Sequence, residues 1–103
     1  MSQDAPVEVL AYRALALQVA CLAVNRCPDR ASARARMAES VERIGRHVRA
    51  AKGFLGQDVR LVVLPEYFLT GYPLGESIPE WADKAALDPG GPEYEALARI
   101  ASD

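Results

Sequence analysis

The sequence predicts an α/β fold, and three observations carry that expectation. Between residues 13 and 24 it reads R-A-L-A-L-Q-V-A-C-L-A-V, with Leu15, Leu17, Val19, Cys21 and Ala23 on one face and the mostly apolar Ala16, Gln18, Ala20, Leu22 and Val24 on the other. A strand apolar on both faces is one covered on both sides, as inside a layered sheet. Next, Met37, Val41, Ile44, Val48, Ala51 and Leu55 recur at spacings of four and three, the pattern of an amphipathic helix of about five turns. Finally, V-R-L-V-V-L at residues 59–64 is short, β-branched and apolar, which marks a second strand. Strand, helical connection and strand form a βαβ unit, which favours a parallel pair with a right-handed crossover.

Taken in order, residues 1–12 are expected to be a loose leading segment. A helix is the rival for residues 13–24, because alanine and leucine are good helix formers. The strand is preferred because the following segment is plainly the helix. Residues 25–30 form a turn containing Pro28, with Asp29 or Ser32 as the helix N-cap and Gly53 or Gly56 as its terminator. Pro65 ends the second strand, since proline cannot donate to a ladder. A loop from Glu66 to Glu76 carries Gly71, Pro73 and Gly75, and a short helical piece follows near residues 79–86. The last helix starts at Pro92, with Glu93 and Glu95 in its first turn and Tyr94, Leu97 and Ile100 on one side. Two parallel strands with apolar faces need further strands beside them and a layer on each face. The 103 residues are therefore expected to be part of something larger.

Composition points to a soluble globular chain. Of its 103 residues 50% are hydrophobic and 25% charged, outside the disordered, collagenous and disulfide-rich classes. The net charge of −2 is unevenly spread: residues 26–60 hold nine basic and four acidic groups, and residues 61–103 hold two basic and eight acidic groups. The basic stretch raises nucleic-acid binding. Its arginines (Arg30, Arg34, Arg36, Arg43, Arg46 and Arg49) nonetheless interleave with Glu39 and Glu42 at favourable i,i+4 spacing, which reads as a solvated helix face, and no nucleic-acid partner is expected. Cys21 and Cys27 are expected to be reduced thiols with no metal-ligand spacing around them, and no cofactor is expected. The apolar run at residues 14–24 is too short to span a bilayer, and Asp4 and Glu8 stand where a targeting signal would carry basic residues. A cytoplasmic protein without a membrane partner is the expectation.

The informative segment is L-V-V-L-P-E-Y-F-L-T-G-Y, residues 61–72. It sets Glu66 immediately past the C-terminal end of a buried strand, the edge where α/β sheets collect ligands and catalytic groups. Tyr67, Phe68, Leu69 and Tyr72 are placed to desolvate that carboxylate in part and make it a general base. The alternative is a solvated loop glutamate that caps a turn. Glu76 and Glu80 read as solvated loop acids.

An apolar strand running into P-E, an aromatic pair and L-T-G-Y resembles the first catalytic motif of the nitrilase superfamily of carbon–nitrogen hydrolases. The resemblance extends from Leu15 to about Ala101, through the opening strand, the long helix and the G-P-E-Y-E-A-L-A-R-I-A helix. It implies a four-layer α-β-β-α sandwich, of which residues 13–103 are the N-terminal portion of a single carbon–nitrogen hydrolase domain, with a glutamate, a lysine and a cysteine at the active site. Glu66 matches the glutamate, the general base for thiol and then water, while the lysine steadies the developing anion and the thiolate attacks the carbon. Only Glu66 is carried over. Lys52 and Lys84 do not match the lysine; Cys21, mid-strand, and Cys27, in the turn, do not match the nucleophile. The resemblance thus implies hydrolysis of a non-peptide C–N bond in an amide, nitrile or carbamoyl substrate, by a parent protein that forms homo-oligomers when complete. Within it stands a glutaminase domain supplying ammonia to a synthetase, because L-T-G-Y-P also occurs there. Outside it stand a non-catalytic remnant that packs against a partner and a basic-helix binding module.

Overall fold

The computed structural model describes residues 6–103. The two expected strands pair in parallel, β1 (Arg13–Ala16) with β2 (Val59–Val63), and the 26-residue helix α1 (Arg30–Leu55) connects them. Two further helices follow, α2 (Ile78–Ala85) and α3 (Pro92–Ser102). The described residues are thus α/β, a two-stranded sheet with three helices.

Each helix begins where local chemistry favours it. Asp29 caps α1: its carboxylate accepts from the Ser32 amide at 2.8 Å while the Ser32 hydroxyl faces the Asp29 amide, a reciprocal box. Both candidate cap residues therefore take part, Asp29 as the cap and Ser32 three positions inside. Gly53 stays helical, and α1 ends at Gly56, whose φ of 124° suits glycine. Ser77 and Glu80 form the same box at the start of α2, and Pro92 opens α3.

The first strand is shorter than its apolar run. The β1 ladder closes at Ala16↔Val63, and the next link is the Leu17 amide to the Val63 carbonyl at 2.9 Å. Beyond Val63, Leu64 and Pro65 lead the partner away, so residues 18–23 have no strand to pair with. The ladder also slips between Arg13 and Ala14, where Arg60 is the extra residue between Val59 and Leu61.

Only one face of the sheet is covered. α1 turns Ala33, Met37, Val41, Ile44 and Val48 inward. Val24, Cys27, Ala33, Met37, Val41 and Leu69 make the core, with Phe68, Trp81, Leu87, Ala96, Leu97 and Ile100 packed around it. Gly45 of α1 lets α3 come close: a Cβ there would stand 3.3 Å from Ile100 Cδ1. On the opposite face Ala14 and Ala16 are exposed beside Leu61, 45% exposed, and Val63, 53% exposed. The expectation of two covered faces is met on one side alone.

Candidate functional site

Glu66 sits where β2 ends. Pro65 stops the ladder, and the chain turns at once: the Phe68 amide donates to the Pro65 carbonyl at 3.2 Å and the Gly71 amide to the Tyr67 carbonyl at 2.9 Å. Tyr67 has a φ of 57°, the only non-glycine residue in the left-handed region among the described residues. Such a conformation is uncommon for a bulky residue and costs of the order of 1–2 kcal/mol. It throws the Glu66–Tyr67 peptide into a tight corner at the strand's carboxyl end.

The Glu66 carboxylate is exposed and, among the described residues, makes no hydrogen bond and no ion pair. The backbone closes the turn without it, so Glu66 is not a cap. The surroundings differ from the expected desolvating shell. Phe68 and Leu69 turn toward the core, while Tyr67 (46% exposed) and Tyr72 (60% exposed) meet each other edge to face at 5.1 Å between ring centroids. The aromatic pair flanks the glutamate in solvent; it does not bury it.

The other loop acids are structurally occupied, which the sequence did not disclose. Glu76 is half-buried, and each of its oxygens is bonded: Leu74 N–H donates to Oε1 at 2.7 Å and Asn25 Nδ2 to Oε2 at 2.9 Å. Hydrogen bonds from its own amide and from Leu74 hold its carboxyl below the ordinary range against some desolvation, with smaller help from Asn25 and the Lys84 charge. Glu80 belongs to the α2 capping box.

The lysines and cysteines are likewise accounted for. Lys84 Nζ donates to the carbonyls of Asn25, at 2.9 Å, and Cys27, at 3.2 Å, and Lys52 Nζ to the Asp103 carbonyl at 2.9 Å. Cys27 is buried in the core; Cys21 is exposed, and its thiol donates to the Tyr67 carbonyl at 3.4 Å. Cys21 lies beyond β1 and not mid-strand as expected, and it comes close to the Glu66 turn as a brace on the backbone. No three or more His, Cys, Asp or Glu side chains gather as a metal site among the described residues.

The basic face of α1 is partly committed too. Glu42 and Arg46 pair at 3.2 Å, as the spacing predicts. Arg34 turns inward, to Glu93 at 2.8 Å and to the Ala86 carbonyl at 3.1 Å. A groove of about 720 Å³ runs between α1 and α3, rimmed by Arg34, Arg49 and Arg99, and none of its lining comes from the Glu66 loop. No helix among the described residues is long and apolar enough to cross a membrane.

No known protein family, no curated protein and no solved structure matches this chain.

Proposed function

We propose that this chain supplies the glutamate of a nitrilase-type carbon–nitrogen hydrolase, with Glu66 as the general base for cleavage of an amide, nitrile or carbamoyl substrate. One observation carries the proposal. Of the acids in the loop after β2, Glu66 alone makes no hydrogen bond or ion pair among the described residues. Its carboxylate is free at the C-terminal end of a parallel strand, on a turn that stores backbone strain at Tyr67. A carboxylate held at that edge and used for nothing else is available to a substrate.

In this proposal Glu66 takes a proton from a cysteine thiol, which attacks the carbon, and passes it to the substrate nitrogen as that group departs. The regenerated carboxylate then takes a proton from the water that releases the acyl group. The lysine and the nucleophilic cysteine come from strands outside these 103 residues. Lys52 and Lys84 are engaged with carbonyls, and Cys27 is in the core. The bare face of Ala14, Ala16, Leu61 and Val63 supports the same proposal, because a second sheet laid on it would complete an α-β-β-α sandwich. That face also favours a second reading, a non-catalytic segment that packs against a partner.

Glu66→Gln separates the two. It keeps the side chain's shape and removes its capacity to take a proton. In the protein that carries this segment, kcat for amide or nitrile hydrolysis is expected to fall about 10²–10⁴-fold with the melting temperature unchanged. Full activity in Glu66→Gln sinks the general-base assignment and leaves the packing role.

A further inference from the structure

We propose that Asn25 and Glu76 are the positioning pair of the Glu66 turn, and that Asn25 is the residue through which the loop is fixed to the segment leading from β1 to α1. The inference rests on the proposed role of Glu66 and adds the groups that hold that glutamate in place.

The geometry is specific. Asn25 Nδ2 has two hydrogens, and both are used across the loop, one to the Tyr72 carbonyl at 2.8 Å and one to Glu76 Oε2 at 2.9 Å. Both partners are acceptors only, so the amide can face them with its NH₂ end and not with its oxygen. Glu76 then reaches back to the Leu74 amide through Oε1 at 2.7 Å, closing the loop on itself. From the other side Lys84 Nζ grips the Asn25 carbonyl at 2.9 Å, so the donor residue is itself anchored to α2. Lys84 is the charged group that faces this pair.

Two backbone features bring the loop within range. The Val24 amide donates to the Thr70 carbonyl at 2.9 Å. Gly71, with a φ of 79°, lies so close to Ala23 that a Cβ there would stand 2.6 Å from the Ala23 Cβ. The clamp therefore holds Tyr72, and Tyr72 meets Tyr67 edge to face at 5.1 Å. Tyr67 is the left-handed residue joined to Glu66. The order of action is Asn25 and Glu76 on Tyr72, Tyr72 on Tyr67, and Tyr67 on the direction of the Glu66 carboxylate. Neither Asn25 nor Glu76 touches substrate; both act through the tyrosines.

The test uses two single variants and their combination in the protein that carries this segment. Asn25→Asp is isosteric but puts an acceptor against two acceptors. Glu76→Gln is milder, because one amide oxygen remains to accept. Combined, the two exchange donor and acceptor, so the link between positions 25 and 76 re-forms in reverse. The readouts are the ring-proton NMR shifts of Tyr67 and Tyr72, which report the edge-to-face contact without any need for turnover, and kcat against KM. Asn25→Asp is expected to collapse the ring-current shifts and lower kcat at least about tenfold with KM little changed, and the double variant to recover part of both. Glu80→Ala, which breaks the α2 cap, is the structural control: it lowers the melting temperature and leaves the tyrosine signals in place. Unmoved tyrosine signals in both single variants, or strictly additive losses in the double, overturn the proposal. If Asn25→Asp does not fold, Glu76→Gln carries the same comparison. If instead Glu66→Gln proves fully active, the general-base role falls while the ring shifts and the reversal still decide the clamp.

Discussion

Both oxygens of Glu76 are engaged, while those of Glu66, ten residues earlier in the same loop, are free. Local sequence makes the second case readable and hides the first. A strand, a proline and a glutamate in succession put Glu66 at a strand end whatever the rest of the chain does. Glu76 depends on Asn25, 51 residues away, and no periodicity or turn signal announces such a partner. The same holds for Cys21 and Tyr67, 46 residues apart. The aromatic neighbours of Glu66 were expected to desolvate it; the left-handed Tyr67 instead pairs with Tyr72 at the surface, and a single backbone angle of that kind is not encoded by residue type. The depressed carboxyl of Glu76 makes its clamp pH-dependent, and the sign follows from the direction of the shift. A group whose folded value lies below its ordinary 4.5 contributes fully above that value and loses its contribution as pH falls through the depressed one. The Tyr67–Tyr72 ring shifts are therefore expected to hold through pH 4.5 and to change only at lower pH, with the charge of Lys84 favouring the ionised clamp throughout. An NMR titration from about pH 6 to about pH 2 checks this. A midpoint above 4.5 would show that the carboxylate is not held by those donors.

Elements were legible where their causes lie within a turn or two of chain. The cap of α1, its apolar stripe and its glycine stop are all local, and so are the Ser77–Glu80 box and the Pro92 start of α3. The extent of β1 was not, because a strand lasts only as long as its neighbour, and β2 ends at Val63. Packing between helices was equally opaque. Six arginines along α1 read as one solvated face, yet Arg34 is drawn under α3, its side chain 22% exposed, against a Glu93 that is 6% exposed. The two residues are 59 apart in sequence. This pair joins α1 to α3, and its energetics are asymmetric: a buried ion pair adds little over an apolar replacement, but deleting one member strands the other. Glu93→Ala is expected to cost roughly 3 kcal/mol, the low end for a buried pair because Arg34 keeps some solvent and its bond to the Ala86 carbonyl. Arg34→Met leaves a carboxylate with less access to water and should cost more. The double variant Arg34→Met/Glu93→Ala is expected to be more stable than the sum of the two losses predicts. Denaturant midpoints of all four proteins decide it; additivity would mean that the pair does not couple the helices.

At the scale of the whole molecule, the sheet is open on one side and the chain is extended for its length. The radius of gyration is 17.1 Å, against about 13 Å for a compact domain of 100 residues. Helices cover one face of the sheet, and the other presents Leu61 and Val63, about half exposed, beside Ala14 and Ala16. Both strands also have an unpaired edge, since the described sheet has only two. Exposed apolar faces and open edges invite association. The chain of residues 1–103 expressed alone is therefore expected to melt broadly, bind a hydrophobic dye and self-associate as its concentration rises. The face can be separated from the edges by substitution. Leu61→Lys together with Val63→Lys places charge on the bare face and removes nothing from the packed side, where Val59 is buried and Val62 half-buried. If the bare face drives association, this double variant should reduce dye binding and stay monomeric to higher concentration, with its helical circular dichroism unchanged. Val62→Lys, on the helix-covered face, should instead unfold the chain. A sharp cooperative melt of monomeric wild type, with no dye binding, would show that the two strands and three helices suffice as they stand. The sandwich in the proposed function would then lose its support from this face, and only the free carboxylate of Glu66 would still argue for it.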